Sequence, residues 1–175
     1  MQEAEGYLDL IMATSDQSPL CPVLRCKLAQ RAIDVLDRLE MNESNHGRAC
    51  YLRGQAYRFM ERYDLAVDAL ARSSQFDPRN THIYLALAWC FKRMGRLDLA
   101  IESMEEALEV DTGQGIIHYN LACYWSLASN VGLTLAHLAR AFELDPDYRS
   151  FVFDEPDFDP VRNHPEFLAL TSVIV

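Results

Sequence analysis

Residues 81–114 read THIYLALAWCFKRMGRLDLAIESMEEALEVDTGQ. Apolar side chains recur there at intervals of three and four, the period of an amphipathic helix. The period runs once before Gly95-Arg96 and once after it, so the stretch predicts two helices of about 14 residues joined by a turn. A shift of 34 positions in either direction brings up the same kinds of residue: Gly54, Ala88 and Ala122, then Tyr57, Phe91 and Trp125. Leu70, Met104 and Leu138 follow, with Ser73, Ala107 and Ala141 one turn on. Each unit closes on Phe76-Asp77-Pro78, Val110-Asp111-Thr112 or Leu144-Asp145-Pro146. The turns between helices fall at Glu61-Arg62, Gly95-Arg96 and Ser129-Asn130.

Each recurrence has a physical role. The small residues Gly54, Ala88 and Ala122 let the first helix of a pair approach the second closely, and Ala66 and Ala100 do the same from the other side. Tyr57, Phe91 and Trp125 fill the space beside them. Asp-Pro at 77–78 and 145–146 ends the second helix, because proline disfavours helical geometry in the residue before it. Gly132 and Thr134 weaken the start of the last second helix. One hairpin cannot bury its apolar stripe alone, whereas three stacked hairpins can.

The pattern resembles the tetratricopeptide repeat, whose signature W-x₂-L-G-x₂-Y, A-x₃-F, P runs over 34 residues. The first unit supplies Cys50, Arg53, Gly54, Tyr57, Ala66, Leu70 and Pro78 at those places. The second supplies Tyr84, Leu87, Ala88, Phe91, Ala100, Met104 and Thr112, and the third His118, Leu121, Ala122, Trp125, Thr134, Leu138 and Pro146. The signature tryptophan is absent from all three, Arg53 stands for a leucine, and Thr134 for an alanine. The resemblance implies an all-α fold, a right-handed α-solenoid of helical hairpins with capping helices at both ends. The expected segments are 1–44 (a degenerate N-terminal hairpin acting as cap), 47–80, 81–114 and 115–148 (the three repeats), and 149–175 (a C-terminal cap).

The flanks are read the same way. Residues 2–13 and 22–41 predict helices, with Pro22 in a first turn and Ala29, Ile33, Leu36 and Leu39 forming one apolar stripe. Ser15-Asp16-Gln17-Ser18-Pro19 breaks the chain between them. Asp157-Phe158-Asp159-Pro160-Val161-Arg162 and His164-Pro165-Glu166-Phe167 resemble the tail that closes many bacterial arrays of this family, which implies a short helix at about 164–172. An ending on Val173-Ile174-Val175 is also that of a piece of a longer protein.

Composition narrows the function. The formal charge is −10, which disfavours general binding to nucleic acid or anionic membrane. Residues 1–96 carry +1 and residues 97–175 carry −11, and this acidic half is read first as solubilising, with a basic partner as the alternative. The N-terminus has no basic, apolar leader, and no run reaches the roughly 18 apolar residues of a membrane span, so a cytoplasmic protein is expected, and the resemblance of the tail implies a bacterial type. Cys21, Cys26, Cys50, Cys90 and Cys123 are odd in number and form no CxxC, arguing against a disulfide framework or zinc ribbon. His46, His82, His118, His137 and His164 form no close ligand motif, although His118 and His137 can meet inside the third hairpin as a structural pair. Calcium, phosphate-loop, dinucleotide and nucleophile-elbow motifs are missing, so neither cofactor nor metal nor catalysis is expected. Asn42-Glu43-Ser44 matches a glycosylation sequon by chance.

In the family's arrangement, first helices line a concave groove. That implies a partner-binding stripe of Arg48, Tyr51, Leu52, Gln55 and Arg58, then His82, Leu85, Ala86, Trp89 and Lys92, then Ile116, Tyr119, Asn120, Cys123 and Ser126. Trp89 and the tyrosines are rigid anchors. Arg48, Arg58 and Lys92 complement a peptide with apolar and acidic residues. The carboxylate clamp found in one subtype is not matched: its places hold Tyr51, Gln55, Ala86, Ile116 and Asn120. The expected function is a non-catalytic adaptor or scaffold that binds a peptide segment or partner surface. The alternatives are a small chaperone shielding an apolar segment of a client, and a self-associating homo-oligomeric scaffold.

Overall fold

A computed structural model describes residues 1–13, 20–39 and 43–172, with main-chain structure only at Glu43 and Ser44. The expected break at 15–19, Asn42 of the sequon and the last three residues lie outside these. Among the described residues the chain is all helical, without strands. It divides into two compact units, Met1–Met94 and Gly95–Val175.

The first unit holds α1 (Gln2–Ala13), α2 (Pro22–Asp37), α3 (Glu43–Phe59), α4 (Tyr63–Phe76) and α5 (Thr81–Arg93). Each helix packs on the next in sequence. Leu8 and Ile11 of α1, Ala29, Ala32 and Leu36 of α2 and Leu52 of α3 share one core. Each large apolar side chain withdrawn there contributes about 1.5–3 kcal/mol. α2 stops at Asp37, short of the expected 41. The amides of Arg38 and Leu39 bond back to Val35 and Leu36, at 3.2 and 3.4 Å, and these tighter three-residue bonds close the helix.

The α3–α4 contact depends on the absence of a side chain. A Cβ on Gly54 would lie 2.5 Å from Leu70 Cγ, and one on Gly47, two turns earlier, would lie 2.7 Å from Phe76 Cβ. Ser73 donates its hydroxyl to the Gly47 carbonyl at 2.9 Å across the same seam. The helix then reverses at Glu61, whose φ is 59°. Arg62 N–H reaches Tyr57 O at 2.9 Å and Glu61 N–H reaches Arg58 O at 3.0 Å, the paired bonds of a Schellman motif. At the next boundary, Asn80 Oδ1 accepts from the His82 amide and caps α5, while Tyr84 donates to the Pro78 carbonyl.

The second unit holds α6 (Leu97–Val110), α7 (Gly115–Leu127), α8 (Val131–Leu144), α9 (Tyr148–Val152), a 3₁₀ turn (Pro156–Phe158) and α10 (Pro165–Thr171). α7 packs on α6 and α8. The turn at Ser129 repeats the one at Glu61: φ is 58°, with Asn130 N–H on Trp125 O at 2.9 Å and Ser129 N–H on Ser126 O at 2.7 Å. Gly95 also has positive φ, 74°, so the left-handed residue recurs every 34 positions. Despite Gly132 and Thr134, α8 forms fully. The buried Thr134 hydroxyl is satisfied by the Asn130 carbonyl at 2.8 Å, and Asn130 Oδ1 caps the Leu133 amide.

The tail packs onto α7 and α8. Phe158 and Phe167 are buried against each other, with ring centroids 5.4 Å apart. Arg162 holds the approach to α10 together. Its guanidinium donates to the carbonyls of Val152, Phe153 and Glu155 at 3.2, 2.9 and 2.6 Å, and also pairs with Asp159.

Candidate functional site

Helix ends of the first unit bring cations together. Arg58 lies in the last turn of α3, and Lys92 and Arg93 in the last turn of α5, where the partial negative charge of a helix C-terminus favours them. Trp89 sits one turn before Arg93 on the same face of α5. Tyr63 opens α4 and meets Trp89 edge-on, with ring centroids 5.6 Å apart. The Arg58 guanidinium lies over both Phe59 and Trp89, at 5.3 and 5.2 Å from the ring centroids. Arg93 lies over Tyr63 and Trp89, at 5.8 and 5.7 Å, and donates to the Tyr63 hydroxyl at 3.3 Å. Trp89 remains 37% exposed.

These side chains line a pocket of about 380 Å³ together with Arg25 and Glu61. Arg25 and Glu61 form an ion pair. Among the described residues, Arg58 and Arg93 have no carboxylate partner. Burial lowers the pKa of Arg58, opposed by the Cys90 thiol and the Tyr51 hydroxyl nearby. A carboxylate beside it would act in the opposite direction. Burial also raises the Cys90 thiol to about 11 against the pull of Arg58, which favours its protonated form in the core.

The remaining residues of the expected stripe divide by environment. Arg48 is neutralised by Glu5 of α1 at 2.9 Å and lies over Tyr51. Tyr51 is half-buried against the core of its unit. His82 is exposed, while Leu85 and Lys92 are half-buried. Gln55 is buried and its Oε1 has no partner; Leu52 and Ala86 are core residues.

In the second unit Ile116 is exposed and Asn120 half-buried, but Tyr119, Cys123 and Ser126 are interior. The tail covers Tyr119. Tyr119 stacks on Tyr148 at 5.0 Å and meets Phe158 edge-on at 5.7 Å. Burial pushes its hydroxyl pKa well up. Tyr119 and Cys123 are buried side chains of this unit.

Arg93, Tyr63 and Arg25 were absent from the expected stripe. Arg93 was detectable as the residue one helical turn beyond Trp89; Tyr63 and Arg25 gave no such signal, because the turn geometry brings them in. The histidine pair does form: His118 Nδ1 and His137 Nδ1 are 3.1 Å apart inside the α7–α8 hairpin. No group of three or more metal-binding side chains occurs among the described residues, and none of their helices is long and apolar enough to cross a membrane.

The sequence model of the tetratricopeptide repeat matches residues 47–80 and 81–113. No curated protein matches the chain in sequence. Among solved structures, a crystal structure of MamA is similar at 18% identity and a TM-score of 0.63, covering 84% of this chain and 89% of that one. MamA from Desulfovibrio magneticus RS-1, from its residue 41 onward, gives 18% identity and a TM-score of 0.61 over 84% and 97% of the two chains. MamA AMB-1 gives 25% and 0.56 over 81% and 78%. These likenesses support the helical-repeat fold.

Proposed function

We propose that this chain, in which the tetratricopeptide repeat matches residues 47–80 and 81–113, is a non-catalytic interaction module that binds a partner's peptide segment on the α3–α5 face of its first unit. The observation that carries this reading is the exposed Trp89 ring beneath two guanidiniums that have no carboxylate partner among the described residues. An exposed tryptophan held by its neighbours offers a large rigid contact, and the helices that hold it are already ordered, so association costs little conformational entropy. Arg58 and Arg93 favour a segment with acidic residues; the apolar part of such a segment meets Trp89. The groove expected from the family is thereby narrowed to Arg58, His82, Leu85, Trp89 and Lys92, with Arg48, Tyr51 and Gln55 as its supporting side. We read α1 and α2 as the cap of the first unit and residues 149–175 as the cap of the second.

Affinity capture with the wild type and with Trp89→Ala, followed by mass spectrometry, tests the proposal. The expected result is a set of partners lost with the variant while its helical circular dichroism is unchanged. Identical partner sets from both proteins refute it. A second reading, self-association, draws on the tail, where Phe153 is 81% exposed beside exposed Phe151 and Leu168. Light scattering of wild type and Phe153→Ser at several concentrations tests that reading: a mass that rises with concentration only in the wild type supports it, and two monomers exclude it. The chaperone alternative is favoured less, because charged side chains surround Trp89.

A further inference from the structure

Resting on this reading of the α3–α5 face, we infer that the pocket of Arg58, Arg93 and Trp89 receives an oxyanionic group with two negative charges on the partner segment, either one phosphoryl group or two neighbouring carboxylates. The charge count leads there. Three guanidiniums and one carboxylate line the pocket, and the carboxylate belongs to the Arg25–Glu61 pair. Two positive charges are left over, on Arg58 and Arg93.

Position strengthens the count. Arg58 is half-buried, and a charge partly withdrawn from water, with no counter-charge among the described residues, is costly to the folded protein. An entering anion lowers that cost. Aromatic rings lie beneath both guanidiniums: Phe59 and Trp89 for Arg58, Tyr63 and Trp89 for Arg93. Arg93 gives its Nε–H to the Tyr63 hydroxyl, which leaves its terminal N–H groups, and guanidinium N–H groups are the donors that bind phosphate or carboxylate in pairs. The volume, about 380 Å³, lies within the range of small-ligand pockets. Recognition of acidic or phosphorylated motifs by clustered arginines is a general mode of peptide binding. A nucleic acid would place its phosphates against a chain of net charge −10, so the anion belongs to a protein segment.

The test is titration of the full chain with phenyl phosphate, inorganic phosphate and an acetylated, amidated Glu-Glu dipeptide, read from the indole N–H resonances of the two tryptophans. The expected result is a saturable shift of the Trp89 signal with Trp125 unmoved. Arg58→Gln and Arg93→Gln should each weaken binding about ten- to hundredfold, the value of a lost charge-assisted hydrogen bond. Glu61→Gln, which frees Arg25, should tighten it, and this gain of function does not depend on a variant that might misfold. Response to the phosphates alone identifies a phosphorylated segment, response to the dipeptide alone an acidic one, and response to both the shared chemistry. No shift with any probe, or weaker binding by Glu61→Gln, overturns the inference. If the probes fail while partner capture still depends on Trp89, only the anion is wrong; if both fail, the interaction face is wrong as well.

Discussion

Replacing Gly54 with alanine adds one methyl group where the α3–α4 seam has no room. The new Cβ would stand 2.5 Å from Leu70 Cγ and 2.7 Å from its Cδ2. Ordinary contact begins near 3.4 Å, so Leu70 or the helices must move by about 1 Å, and Leu70 is itself fully buried in close-packed surroundings. Overpacking of this kind costs about 1–3 kcal/mol at modest overlap and more where nothing gives. Alanine recovers about 1 kcal/mol through helix propensity, leaving a net loss of about 1–3 kcal/mol for so deep an overlap. Chemical denaturation reads the loss directly, and thermal melting should show a fall of about 2–4 °C per kcal/mol for a chain of this length. The control is the same substitution at Gly6, where an added Cβ meets nothing within 4 Å; there the propensity term acts alone and the protein gains about 1 kcal/mol. In a Leu70→Ala background the penalty at Gly54 should largely vanish, because the clashing atoms are gone. A neutral or stabilising Gly54→Ala, or a penalty unchanged by Leu70→Ala, would show that the seam is not limited by contact at this point.

Ser129→Gly should stabilise the protein by about 0.5–1 kcal/mol, since it removes the cost of a left-handed side-chain residue and adds back part of it as unfolded-state entropy; an unfolding midpoint at or below that of the wild type contradicts this. Acid should weaken the α7–α8 hairpin. Burial depresses the pKa of His118, opposed by a hydrogen bond at Thr112 and aided by Arg140, and it depresses that of His137, with His118 adding to the effect. The unfolded chain therefore takes up protons first, and stability is full above the ordinary histidine value of about 6.5 and declines as pH falls through the lowered folded values. Denaturation midpoints at pH 7.5 and pH 5 should differ less in His137→Gln than in the wild type. Arg162→Ala removes the donor for three tail carbonyls, and limited proteolysis should cut the 153–165 segment faster by about tenfold or more, for a loss of about 1.5–3 kcal/mol in charge-assisted bonding; equal cutting rates would show that aromatic packing alone holds the tail.

The repeat was legible because close packing imposes a fixed period, and Gly54, Ala66 and Leu70 carry that period in their sizes. The turn positions were legible for the same reason: the left-handed residue is the first of each expected pair, at Glu61, Gly95 and Ser129. Gly47 was not read as a packing residue, although Phe76 requires its small size as strictly as Leu70 requires that of Gly54. The site was legible in part. Arg58, Trp89 and Lys92 follow from the family's arrangement of first helices, but what covers Tyr119 does not, because Tyr148 and Phe158 reach it from 29 and 39 positions further along the chain. Sequence periodicity carries local phase, and contacts made across such separations leave no period to find. The end of α2 was overestimated because its apolar stripe continues through Leu39 after the helical bonding has changed.

The corner between paired helices is fastened by main-chain atoms: glutamate and serine serve at Glu61 and Ser129, with the same two carbonyls accepting in each. Drift in the side chain at that bend is therefore tolerated after a duplication, at a modest energetic cost. The family model matches 47–80, where the bend residue is glutamate, as well as 81–113, where it is glycine, and Gly115–Leu144 turns with the same bonds. Ancestry in such arrays is better counted by the handedness of the bend than by the letter occupying it.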